Sequence, residues 1–117
     1  MISSYRDLLV WQKAMDLIDL VYASSGKWPQ TEQFGLASQL KRATVSVAAN
    51  FAEGHGRNGR REYVHHLGIA RGSLCETETL LLVASRQRYL SEEELGATLV
   101  CASEMGRMLV GLLRSLE

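Results

Sequence analysis

Between residues 63 and 84, side chains suited to a core recur at alternating steps of four and three: Tyr63, Leu67, Ala70, Leu74, Thr77, Leu81 and Ala84. That spacing lines one face of an α-helix through three heptads, whereas a strand would scatter the same residues over both faces. A seam this regular packs in coiled-coil fashion against neighbouring helices, so the chain is expected to be a helical bundle.

Three other stretches supply the neighbours. Val10, Ala14, Leu17 and Val21, each followed one residue later by Trp11, Met15, Ile18 and Tyr22, predict a helix over about 7–24. It is expected to close at Ser24-Ser25-Gly26, because glycine tolerates a left-handed backbone. Leu36, Leu40, Ala43, Val47 and Phe51 predict a second helix over about 32–55. The third runs over about 60–87. The fourth, over about 91–116, carries Leu95, Leu99, Ala102, Met105, Leu109, Leu112 and Leu116, and Ser91-Glu92-Glu93-Glu94 has the form of a capping box. Trp28, beside Pro29 in the first connection, is expected to cover the end of the core. Gly68 and Gly72 cost about 1 kcal/mol each inside a helix, and a close backbone approach is the expected compensation. Short loops and no strand-like alternation make this one all-α domain over 1–117, an antiparallel up-and-down four-helix bundle.

Composition narrows the function classes. With 46% hydrophobic and 22% charged residues the chain has the balance of a globular protein rather than a disordered one. No run approaches the roughly 18 apolar residues of a membrane span, and the start of the chain lacks a signal-peptide core, so a cytoplasmic location without a membrane partner is expected. Cys75 and Cys101 lie inside helical patterns without a CxxC and read as small buried hydrophobes. Net charge is zero, but residues 41–71 carry six Lys/Arg against two Asp/Glu, and residues 72–117 carry four against seven. The positive excess is local, which argues against indiscriminate polyanion binding and for a defined basic edge.

Helix two carries more than a core stripe. Gln39, Arg42, Ser46, Asn50 and Glu53 form a polar seam beside it, and Val45, Ala48, Ala49 and Ala52 form a small apolar stripe beyond the seam. Apolar surface on both sides of a polar seam is expected to be buried from two directions, with the outer stripe as an oligomer interface. The seam is expected to bond to helix three, with Ser73 and Glu76 as partners for Arg42 or Asn50, and to fix register. Glutamate at Ala48 and Ala49 is expected to yield monomers or insoluble protein.

The chemistry-bearing motifs are few. No histidine or cysteine completes a nucleophile–base pair with Glu53 on helix two. Gly54 to Gly59 spells GxGxxG without the preceding strand that a dinucleotide fold needs. No catalytic residue, metal or cofactor is expected. Glu62-Tyr-Val-His65 is an ExxH on a helix, but a di-iron bundle needs a second one, and His55 and His66 read as surface or capping residues. A metal-dependent enzyme using Glu62 and His65 is the alternative reading, and a protein–protein adaptor another. The basic edge is more promising: His55, Arg57, Arg60 and Arg61 surround the turn, with Lys41, Arg42 and Arg71 further along the two helices. Guanidinium forks and free N–H groups at the start of helix three suit phosphate, with Glu53 and Glu62 as competitors for the arginines. Only Tyr63 could stack on a base, so base recognition is not expected.

The run Gln39-Leu-Lys-Arg-Ala43, Ser46 and Asn50-Phe-Ala-Glu-Gly54, followed by Ala70-Arg-Gly-Ser-Leu74 and Glu76, resembles the four-helix bundle family of 23S ribosomal RNA intervening-sequence proteins. The opening Tyr5-Arg-Asp-Leu-Leu-Val-Trp-Gln-Lys-Ala14 and Phe34-Gly-Leu36 fit it as well. The resemblance implies an up-and-down bundle, often a homopentamer, related to accessory proteins of diversity-generating retroelements that bind a reverse transcriptase and nucleic acid. Together the residues and the resemblance point to a non-enzymatic, self-assembling bundle. Its partners would be further copies of itself and, through the basic rim, RNA, DNA or a reverse-transcriptase-like enzyme.

Overall fold

The computed structural model describes residues 4–57 and 59–117. Four helices make up nearly all of it: α1 (Leu9–Ser25), α2 (Leu36–Gly56), α3 (Arg60–Arg86) and α4 (Glu92–Ser115). They run alternately up and down. Each packs on its two neighbours in the cyclic order α1, α2, α3, α4, with α2 against α3 the most extensive contact. At 1.5 Å per residue α3 is about 40 Å long, and it sets the longest dimension of the molecule, 44 Å.

The seam of α3 is buried as its spacing predicts, with Leu67, Ala70, Leu74, Thr77, Leu81 and Ala84 in the core and Tyr63 packed against its edge. Phe51, Leu17, Leu40, Met105 and Leu109 fill the space between the helices. The Ser91 box closes as expected: Glu94 N–H donates to Ser91 Oγ at 3.0 Å and Ser91 N–H to Glu94 Oε1 at 3.1 Å. Two orphan donors of the first turn are thereby satisfied.

The ends of α1 and α2 depart from expectation. A short 3-10 turn, Tyr5–Asp7, precedes α1 and is capped by Ser4, so the helix proper starts at Leu9. Gly26 keeps a right-handed backbone at φ −62° and closes α1 through its N–H to Tyr22, without the left-handed turn. The α2 start expected near residue 32 moves to Leu36, because Gln30–Glu32 forms a separate 3-10 turn. Gln33 holds that turn to the end of α1 by donating its side-chain amide to the carbonyls of Ser25 and Trp28, at 3.1 and 3.0 Å. Trp28 is buried against Tyr89 and seals this end of the core, as expected. Asn58, in the α2–α3 turn, lies outside the described residues.

Two further expectations need correction. Cys75 is exposed, one position off the buried seam, whereas Cys101 is buried. By length and composition α4 could cross a membrane, with mean hydropathy 1.3 over 18 residues. In the bundle its Cys101, Ala102, Met105 and Leu109 are instead buried in the core, while Arg107 is exposed.

The glycines also change roles. A Cβ on Gly68 or Gly72 would meet nothing within 4 Å, so neither marks a close approach inside the subunit. Gly54 lies in the last turn of α2, where a Cβ would sit 2.8 Å from His66 Cβ and 3.2 Å from Tyr63 Cδ1. Gly54 thus marks a close approach between α2 and α3. Gly54→Ala is therefore expected to destabilise the subunit by about 1–3 kcal/mol through overpacking. At Gly68 the same change should stabilise by about 0.5–1 kcal/mol, since only helix propensity changes. Urea unfolding of the two variants checks the opposite signs.

Candidate nucleic-acid interface

Polar side chains join α2 to α3 over the middle of their contact. Thr44 and Thr77 hydroxyls lie 3.4 Å apart in the core, but each gives its one proton to a carbonyl a turn back on its own helix at 2.8 Å, so the two touch without a hydrogen bond between them. Ser46 and Ser73 hydroxyls meet at 2.9 Å. Asn50 donates through Nδ2 to the Ser46 carbonyl at 2.9 Å and accepts at Oδ1 from His66 Nδ1 at 3.0 Å. Since an amide oxygen only accepts, this bond places the ring proton on Nδ1. The Ser46–Ser73 and Asn50–His66 rungs give an apolar interface a single register, because sliding one helix would strand these partners without hydrogen bonds.

The predicted seam divides in two. Ser46, Asn50 and Ser73 enter the ladder, whereas Gln39, Arg42, Glu53 and Glu76 are exposed. His66, expected at the surface or as a cap, is buried and is the ladder's last rung. The available signal was its position seven residues before Ser73, on the same face of α3.

At the turn, Arg57 donates to Glu53 Oε1 at 2.9 Å across one helical step. His66 Nε2 lies 4.0 Å from the same oxygen. The Glu53 carboxyl is held below the ordinary carboxylate range, first by the Arg57 hydrogen bond and then by the electrostatic influence of the His66 ring. Because its folded pKa is lowered, the pair's stabilisation is complete above the unfolded carboxylate value and disappears as pH falls through the folded one. An NMR titration should show the Glu53 carboxyl carbon titrating at lower pH than a free glutamate, and Arg57→Ala should move that midpoint upward.

The other arginines gather elsewhere. Arg60 and Arg61 open α3 and are exposed, while His55 packs edge-on against Tyr63 with ring centroids 6.0 Å apart. Arg71, three turns along α3, shares a cleft with Arg60 and with Arg114 from the last turn of α4. The cleft, of about 460 Å³, is floored by Val64, Val110 and Leu113 and bordered by Glu117. Among the described residues no carboxylate lies within 4.0 Å of any of these three guanidinium groups. Unpaired cations on a concave, partly apolar wall concentrate positive potential, and their planar forks match phosphate oxygens. Sequence reading finds Arg60 and Arg71 but misses Arg114, which antiparallel packing brings to them from the far end of the chain.

Glu62 and His65 are both exposed on α3, and among the described residues no three His, Cys, Asp or Glu side chains gather in a way that could hold a metal ion. Of the apolar stripe on α2, Val45 and Ala49 are exposed and Ala52 is half-buried, but Ala48 is buried within the subunit.

A search of curated proteins finds no match. Among solved structures the chain is similar to a protein of unknown function from the S23 ribosomal protein family of Bacteroides thetaiotaomicron, with TM-score 0.82 and 21% identity. That alignment covers 91% of this chain and 96% of the other, and at this identity it supports the fold alone. The model of the 23S rRNA-intervening sequence protein family matches residues 6–111, which takes in all of α1, α2 and α3 and most of α4. With most of the bundle and both the α2 and the α3 motif inside that span, the chain belongs to the 23S rRNA-intervening sequence protein family.

Proposed function

We propose that this protein is a non-enzymatic, self-associating bundle that binds the phosphate backbone of RNA or DNA. The observation that carries this reading is the convergence of Arg60, Arg71 and Arg114 on one cleft, with no carboxylate within 4.0 Å of them among the described residues. Arg61 extends the positive edge around the start of α3, with His55 beside it as a further polar group, and Arg57 contributes less because Glu53 holds it. Phosphate contacts position a nucleic acid without reading its sequence. Repeating the cleft in an oligomer, for which the family resemblance suggests five copies, would multiply weak contacts into useful avidity.

The test is anisotropy of labelled mixed-sequence RNA and DNA with the full-length protein at several salt concentrations. Counterion release makes log affinity fall linearly with log salt, by about 0.9 per phosphate contact on duplex and about 0.7 on single strands. Binding of that kind is the expected result. Failure to bind either polymer at about 50 mM salt, where such contacts are strongest, would remove the nucleic-acid role and leave a protein–protein adaptor.

A further inference from the structure

Two grooves flank α1, on adjacent sides of the bundle. The first lies between α1 and the outer face of α2, with a volume of about 690 Å³, and is lined by Tyr22, Phe34, Lys41, Arg42, Val45 and Ala49 among others. Phe34 is 89% exposed, the most exposed large apolar side chain among the described residues. Lys41 Nζ sits 4.8 Å from the centre of the Tyr22 ring, and no acidic side chain lines the groove. The second groove, about 460 Å³, lies between α1 and α4 and is lined by Asp16, Asp19, Leu20, Val100 and Glu104, with Lys13. Lys13 is ion-paired with Glu104. That pairing leaves Asp16 and Asp19 as the charges offered outward, beside Val100 at 59% exposure.

Each surface is an apolar patch rimmed by charge, and the signs are opposite. Two copies meeting through the same surface would set Lys41 and Arg42 against Lys41 and Arg42, or Asp16 and Asp19 against themselves, which like-charge repulsion disfavours. Basic against acidic satisfies both. We propose that the α1/α2 groove of one copy receives the α1/α4 face of the next, with Phe34 and Val45 meeting Leu20 and Val100, and Lys41 and Arg42 facing Asp16 and Asp19. The contact is heterologous, so it repeats from copy to copy, closing into a ring where the rotation per copy closes and running on as a filament where it does not. This pairing rests on the self-association proposed above and names the surface that the outer face of α2 meets.

Charge reversal tests it. Variant one carries Lys41→Glu and Arg42→Glu, and variant two carries Asp16→Lys and Asp19→Lys; all four residues are at or near the surface, and helical circular dichroism and melting temperature monitor the fold. Light scattering at moderate salt should give one oligomeric mass for the unaltered protein and the single-subunit mass for each variant alone. An equimolar mixture of the two variants should form mixed species in which the two alternate, each meeting an oppositely charged neighbour; an odd-numbered ring cannot alternate throughout, so these species should be open chains or even-numbered rings rather than five-membered ones. All four changes in one chain should recover assembly as well. A monomeric unaltered protein would overturn self-association itself. An oligomer that either variant leaves intact, or that neither the mixture nor the fourfold variant restores, would overturn this pairing of faces while leaving self-association standing.

Discussion

Changing Arg60, Arg71 and Arg114 together to alanine is expected to lower nucleic-acid affinity by roughly a hundred- to a thousandfold at about 50 mM salt. The slope of log affinity against log salt should fall by about 2.7 on duplex and about 2 on single strands, because three phosphate contacts and their released counterions disappear. The loss should be similar across sequences, since the cleft offers backbone contacts without an aromatic stacking surface. Stability should stay within about 0.5 kcal/mol of the parent, as the three side chains are exposed and make no ion pair among the described residues. Arg86→Ala, an exposed change at the opposite end of α3, is the control for a general loss of positive charge. Equal losses from the triple variant and the control, per charge removed, would mean that the cleft has no special role.

What could be read from the sequence follows from how locally each feature is encoded. The interior of α3 is set by its own periodicity and its start by Gly59, whose φ of 97° suits glycine, so the expected and observed starts coincide. The Ser91 box is likewise a signal contained within four residues. The start of α2 is not local: it depends on Gln33 reaching back to two carbonyls at the end of α1. The same limit explains the site residues. His66 looks like a lone polar residue until α2 is laid beside α3 and Asn50 falls opposite it. Arg114 joins Arg60 only because α4 ends where α3 begins. Periodicity tells which face of a helix is apolar, but not which neighbour a polar residue will meet.

Glutamate at Ala48 and glutamate at Ala49 should have different outcomes, although the two residues are adjacent and both were expected at an oligomer interface. Their directions differ by about 100° around α2, which turns Ala48 inward, to 5% exposure, and leaves Ala49 lining the outer groove. A carboxylate at 48 would enter the apolar core without a partner, and an unpaired buried charge costs about 3–5 kcal/mol or more. Against a typical domain stability of about 5–15 kcal/mol, Ala48→Glu is expected to unfold or strongly destabilise the subunit, seen as a fall in melting temperature on the order of 10 °C or more or as insoluble protein. Ala49→Glu should keep the helical signal and the melting behaviour of an isolated subunit, because its carboxylate stays in water near Lys41 and Arg42. Its effect should be on mass: light scattering should show loss of the oligomer from a folded protein. Native mass retained by Ala49→Glu would exclude the outer face of α2 as the contact, whereas full stability of Ala48→Glu would contradict the packing of α2 in the core.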